Sequence, residues 1–117
     1  MSRDDAVLLD MLNAARRAVE FASGITADQL AADFKTQSAI LHQILILGEA
    51  AKRLSDSFRE AHPDTPWKAI AGMRDRIIHG YDDVDLREVW RTVDTDLSAL
   101  IVTLEALVPP KPQPPSA

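Results

Sequence analysis

The spacing of hydrophobic and polar residues along the chain predicts a protein built from α-helices. Apolar residues recur every three or four positions over Asp4–Ala22 and again over residues 86 to 108, which is the spacing of one buried helix face. Between them, Thr26 and Gln29 have the spacing of a capping box, which predicts a short helix ending near Asp33. The first and last predicted helices are therefore both amphipathic.

The longest predicted helix runs from about Thr36 to Ala61, where His62–Pro63 closes it. Its centre, Ile44–Gly48, is apolar on every side. Such a segment must be buried on more than one face. Neighbouring helices of the same chain or a second subunit could cover the second face, and the pattern alone leaves both arrangements open.

A further helix is predicted just before a short acidic turn. Thr65 supplies a capping hydroxyl and Pro66 suits the first helical position, so this helix is expected to run to His79 and stop at Gly80. The acidic residues of 82–85 then form the turn into the last helix and are expected to act as turn and capping residues rather than as metal ligands.

The proline-rich segment 109–117 is predicted to be a disordered or polyproline tail. Residues 1–108 are predicted to form a single all-α domain, a bundle of four to five helices.

Composition excludes several classes of function. The chain has 117 residues and no cysteine, which rules out disulfides, thiolate metal sites and a cysteine nucleophile. Its net charge of −5 argues against non-specific duplex binding but leaves room for a small local basic site. No apolar leader follows Met1 and no 18-residue apolar run occurs, so a cytoplasmic protein that does not span a membrane is expected.

The densest group of reactive side chains is Met73–Tyr81. On an ideal helical wheel Arg74 falls in the middle of an apolar stripe formed by Trp67, Ile70, Ala71, Ile77 and Ile78. Burying an unpaired guanidinium is costly. Arg74 is therefore either paired with a carboxylate such as Glu49, or held in a cleft to meet an anion with its planar fork of donors.

His79 would lie in the last turn of that helix, four residues after Asp75, whose carboxylate could orient the imidazole ring. Such a histidine is suited to proton transfer near neutral pH, or it simply caps the helix. On an ideal helix His79 is about 140° around the axis from Arg74. Convergence would require local unwinding, the reach of the arginine, or a second subunit.

Two further side chains complete this group. Arg76 adds positive charge three residues before His79, and Tyr81 follows the helix stop, where its hydroxyl could contact substrate or be modified, or its ring could pack over the helix end. The three histidines show no metal-binding spacing, so neither a metal nor another cofactor is predicted.

The sequence Arg74–Tyr81 resembles a motif of the HepT-like branch of the HEPN superfamily, the toxin half of HepT–MntA toxin–antitoxin pairs. That motif is arginine, four residues, histidine, any residue, tyrosine, and it is intact here. The surrounding blocks Leu47–Arg53, Pro66–Met73 and Tyr81–Trp90 are similar to the family too. The resemblance covers roughly residues 4–108.

The resemblance implies an all-helical homodimer that acts as a metal-independent endoribonuclease, with two motifs facing one cleft. By this analogy His79 serves the acid–base step and Arg74 stabilises charge on the phosphate. Asp75 matches the small polar residue that follows the family's arginine. Tyr81 matches the tyrosine that a cognate nucleotidyltransferase antitoxin of the MNT type adenylylates.

Two functional hypotheses follow from these residues. The first is the toxin of a type VII toxin–antitoxin system that cuts single-stranded RNA by attack of a 2′-hydroxyl. The second is a catalytically inactive HEPN module that binds a minimal nucleotidyltransferase or a nucleotide. A purely structural helical dimer would leave Arg74 without a clear purpose.

Overall fold

The computed structural model describes residues 2–79 and 83–109, and its regular elements there are eight α-helices and one π-helical turn. The helices are α1 Arg3–Phe21, α2 Ala27–Ala32, α3 Phe34–Lys52, α4 Asp56–Ala61, α5 Trp67–Ala71, α6 Met73–Ile77, α7 Leu86–Arg91 and α8 Leu97–Leu107. The π-helical turn Thr92–Asp96 joins α7 to α8. The predicted all-α fold class is confirmed. Gly80, Tyr81 and most of the predicted tail lie outside the described residues.

The first two helices confirm the pattern-based predictions. Ser2 caps the start of α1, because its hydroxyl accepts a hydrogen bond from the Asp5 backbone N–H at 3.1 Å. After the end of α1, Gly24 has a φ of 79°. Positive φ is the conformation that glycine adopts without strain. Helix α2 carries the predicted capping box, because Thr26 and Gln29 exchange side chain–backbone hydrogen bonds at 2.9 and 3.1 Å.

The single helix predicted from Thr36 to Ala61 is wrong, because the chain breaks between α3 and α4. Ser55 caps the start of α4, because its hydroxyl accepts a hydrogen bond from the Phe58 N–H at 3.1 Å. The Ser55 N–H and hydroxyl also donate to the Asp4 carboxylate at 2.9 and 2.7 Å. These hydrogen bonds lower the pKa of Asp4. The break is thus stabilised by a contact with the start of α1, which is remote in sequence.

The core lies between α1 and α3, which pack along their lengths, with α8 against α1 and α5 against α3. The largest fully buried side chains include Leu8, Met11, Ile40, Ile44, Leu47, Leu97 and Leu104. The chain itself therefore covers much of the apolar centre of α3. One side of α3 is covered less completely: Leu41 and Leu45 are half-buried there, and Phe34 at the helix start is 80% exposed.

Gly48 is a point of close approach between α3 and α5. A Cβ atom added at Gly48 would lie 3.1 Å from the backbone carbonyl oxygen of Ala71, the last residue of α5. Only glycine allows the two helices to approach this closely without adjustment. A larger side chain at this position would therefore push α5 away from α3.

Helices α7 and α8, with the π-helical turn between them, confirm the last predicted helix. In the described parts of the chain, no helix is both long and apolar enough to cross a lipid bilayer.

Candidate active site

The helix predicted from Pro66 to His79 is wrong in three respects. Gly72, with φ −93° and ψ 4°, interrupts it and separates α5 from α6. Helix α6 ends at Ile77, two residues earlier than expected. The Thr65 hydroxyl makes no capping hydrogen bond. Instead, α5 is held at its start by the Trp67 indole, whose Nε1–H donates to the backbone carbonyl of His62 at 2.9 Å.

The break at Gly72 changes which side chains of α6 are buried. Met73 and Ile77 pack into the core, whereas Arg74 is not on a buried stripe and its side chain is 43% exposed. The prediction that Arg74 lies on a buried stripe is wrong because the helical wheel assumed one continuous helix. The non-helical ψ at Gly72 rotates the side chains of α6 relative to those of α5. The alternative of a pair with Glu49 is not what the structure has, since Arg74 Nη1 lies 3.8 Å from Asp75 Oδ1 and Glu49 pairs with Lys52.

His79 lies beyond the end of α6, directly after Ile78, whose backbone is extended. Ile78 forms an isolated antiparallel bridge with Val84. On either side of this bridge, the His79 N–H donates to the Asp83 carbonyl and the Asp85 N–H donates to the Ile77 carbonyl, both at 2.8 Å. The chain therefore doubles back after α6, and these hydrogen bonds hold the backbone of His79 beside the start of α7.

The acidic neighbour of His79 is Asp85 rather than the predicted Asp75. His79 Nε2 lies 3.9 Å from Asp85 Oδ2, and the two side chains are 50% and 40% exposed. The other oxygen, Oδ1, accepts the Glu88 N–H at 3.2 Å and so caps α7. The capping role was predicted from sequence. The approach of Asp85 to His79 was not predicted, because it depends on the bridge between Ile78 and Val84, and a helical wheel does not describe contacts between separate segments.

Arg76 is exposed on α6 and lines a cleft of about 380 Å³ between α5, α6 and α8. Arg91 lines the same cleft and is bound to Glu88 at 2.8 Å and Asp96 at 3.6 Å. Hydrogen bonding to Glu88, with the nearby charge of Asp96, raises the pKa of Arg91. The cleft does not include Arg74 or His79 in its described lining, so Arg76 borders a different surface from the histidine.

The described residues thus contain two separate reactive groups. Arg74 is a half-exposed cation able to meet an anion, and His79 is a half-exposed imidazole beside a carboxylate, a combination suited to proton transfer. No hydrogen bond or ion pair joins them within residues 2–79 and 83–109. The same residues contain no group of three histidine, aspartate or glutamate side chains placed to hold a metal ion. Tyr81 lies outside the described residues.

Comparison with known proteins identifies relatives along nearly the whole chain. The model of the family described as ribonuclease HepT-like matches residues 11–107, which include every candidate site residue. A Thermococcus cleftensis protein named "Probable ribonuclease HepT" is 38% identical over 86% of this chain and 91% of its own length.

Two other relatives carry RNase in their names. One, from Caldanaerobacter subterraneus subsp. tengcongensis, is 39% identical over 70% of this chain and 73% of its own length. The other, from Methanocaldococcus jannaschii, is 31% identical over 88% of this chain and 85% of its own. No solved structure matches the chain.

Proposed function

The chain belongs to the HepT-like ribonuclease family, and from this membership we propose that it is an endoribonuclease that cleaves single-stranded RNA without a metal cofactor. The observation that carries the proposal is the arginine–histidine motif within the matched region. Its arginine projects from α6 and its histidine from the extended segment that follows, and both side chains are accessible to a large substrate.

The chemistry would be transfer of the RNA phosphodiester to the neighbouring 2′-hydroxyl. The 2′ oxygen bonds to phosphorus, the bond from phosphorus to the 5′ oxygen breaks, and the products are a 2′,3′-cyclic phosphate and a 5′-hydroxyl. A base removes the 2′-hydroxyl proton and an acid protonates the leaving oxygen. His79 is suited to either proton transfer, and Arg74 to stabilising the charge on the phosphate oxygens. Asp75 would support substrate binding beside Arg74, and Arg76 would do so from the neighbouring cleft.

A homodimer would bring two copies of this motif to one cleft. Two observations support this arrangement: Arg74 and His79 are not in contact within one chain, and one side of α3 carries the incompletely buried Leu41 and Leu45 below an exposed Phe34. A second subunit would bury that apolar surface. It would also supply a second imidazole, so that one histidine acts as base and the other as acid.

As the toxin of a type VII system, the protein would be controlled by a nucleotidyltransferase antitoxin of the MNT type that adenylylates Tyr81. The support is the position of Tyr81 two residues after His79, as the resemblance to the family requires. The transferred nucleotide would add a phosphate and its negative charge next to the motif, where it would repel RNA.

The test compares RNA cleavage by purified wild type, Arg74→Ala and His79→Ala. Each variant is expected to lose about 10²- to 10⁴-fold in rate, the range for removing a general acid–base group or a charge-stabilising donor. Arg17→Ala, which changes an exposed residue on α1, is the matched control and should cleave normally. Addition of EDTA should leave the wild-type rate unchanged. Wild-type rates in both motif variants would refute the proposal.

The second candidate is a catalytically inactive module that binds a nucleotidyltransferase or a nucleotide. The separation of Arg74 from His79 within one chain favours it if no dimer forms. It predicts no RNA cleavage and no toxicity when the protein is expressed alone, together with tight binding to a nucleotidyltransferase encoded beside it. Toxicity that disappears in His79→Ala would exclude it.

A further inference from the structure

We propose that Asp85 is the positioning residue for His79, holding the imidazole in one orientation and one tautomer during RNA cleavage. This inference rests on the proposed ribonuclease function. It replaces the pairing with Asp75 that the helical pattern predicted. The observation behind it is the approach of Asp85 Oδ2 to within 3.9 Å of His79 Nε2.

The backbone around both residues favours this approach. The hydrogen bonds from His79 to Asp83 and from Asp85 to Ile77, each 2.8 Å long, flank the bridge between Ile78 and Val84. They hold the main chains of His79 and Asp85 side by side. The pair therefore does not depend on two long side chains finding each other in solvent, which is what makes most surface ion pairs weak.

The Asp85 side chain is itself held from the opposite side. Its Oδ1 accepts the Glu88 N–H at the start of α7, which leaves Oδ2 directed to the histidine. One carboxylate thus caps a helix with one oxygen and faces the imidazole with the other. An aspartate held through Oδ1 in this way has less freedom to turn its Oδ2 away from the ring.

The two ring nitrogens of His79 would therefore have different roles in catalysis. With Nε2 facing the carboxylate, the tautomer that carries hydrogen on Nε2 is favoured, and Nδ1 is left with its lone pair for the proton of the RNA 2′-hydroxyl. The negative charge of Asp85 stabilises the imidazolium that results. Asp85 does not touch the substrate. It acts through His79.

Other charged groups on neighbouring segments do not share this geometry. From α6, the Asp75 carboxylate contacts Arg74 at 3.8 Å. Arg76 borders the cleft shared with α8. Asp83 binds His79 through its backbone carbonyl, and its side chain is exposed. The exposed side chain of Asp83 therefore supplies the matched control position for the Asp85 variant.

The test measures cleavage of a fluorescent single-stranded RNA oligonucleotide by Asp85→Asn, Asp85→Glu and Asp83→Asn. Asparagine retains an oxygen that can cap α7, so Asp85→Asn should fold normally. We expect its kcat to fall about 10- to 100-fold with little change in KM, as when a residue that orients a reactive histidine is altered. Asp85→Glu should recover part of the loss, and Asp83→Asn should cleave like the wild type.

A second measurement needs no activity. Nitrogen-15 NMR of the His79 ring reports its tautomer, which should be mainly the Nε2–H form in the wild type and more evenly mixed in Asp85→Asn. If His79→Ala is inactive while Asp85→Asn cleaves like the wild type and keeps the wild-type ring spectrum, the role of Asp85 is refuted and the ribonuclease proposal stands. If wild type and His79→Ala cleave equally, the ribonuclease mechanism itself fails.

Discussion

Replacing Gly48 with valine tests whether the close approach of α3 to α5 is required for stability. Helix propensity alone favours the change, because glycine is the poorest helix former after proline and valine is better by a few tenths of a kcal/mol. Packing opposes it, since a Cβ at this position meets the Ala71 carbonyl oxygen at 3.1 Å. The two effects therefore predict opposite signs for the change in the free energy of unfolding.

The packing effect should be the larger. The contacting atom belongs to the backbone of α5 and cannot rotate away, and the two methyl groups of valine extend the overlap beyond the Cβ atom. Overpacking of this kind costs about 1–3 kcal/mol. After the propensity gain is subtracted, we expect Gly48→Val to lower the free energy of unfolding by about 1–2 kcal/mol, or roughly 4–8 °C in Tm.

Urea unfolding followed by circular dichroism measures this difference. Arg17→Val, at an exposed position of α1, controls for the cost of a β-branched residue in a helix and should stay within about 0.5 kcal/mol of wild type. Gly72→Ala controls for the loss of a glycine, because its added Cβ has no neighbour closer than 3.5 Å. Stability of Gly48→Val equal to or above wild type would show that α3 and α5 are not held at this distance.

Three further predictions concern residues away from the site. Hydrogen bonds from Ser55 lower the pKa of Asp4 in the folded protein below its ordinary value of 3.8. The ionised Asp4 carboxylate therefore contributes its full stabilisation above pH 3.8, and this stabilisation is lost as the pH falls through the pKa of Asp4 in the folded protein. The stability difference between wild type and Asp4→Asn, measured by urea unfolding, should therefore narrow on acidification, and a constant difference would contradict this. Thr26→Ala should lower the free energy of unfolding by about 1 kcal/mol through loss of the α2 cap, whereas Thr26→Ser should not. Glu105→Gln should change it by less than about 0.5 kcal/mol, since the 3.2 Å pair with Arg16 is half exposed, and a larger loss by thermal melting would contradict that reasoning.

The sequence predicted those parts of the fold whose signals are local. The capping box at Thr26 and the apolar spacing of α1 lie within one or two helical turns, and the structure confirms both. The regions around residues 53–55 and 72 were predicted wrongly because their apolar pattern continues through them. The first break is stabilised by Asp4, about fifty positions earlier in the chain, and no periodicity in one segment can report such a contact.

For the candidate site, too, the identity of the residues was predicted from the sequence and their placement was not. The sequence by itself determined the helical fold class and the motif residues Arg74 and His79, because side-chain chemistry and spacing are properties of the chain. Only the tertiary structure decided how they are placed. The phase change at Gly72 exposed Arg74, and the bridge from Ile78 to Val84 put Asp85 beside His79 in place of Asp75. The physical reason is that a helical wheel assumes one continuous helix, whereas backbone hydrogen bonds between separate segments determined which carboxylate faces the imidazole.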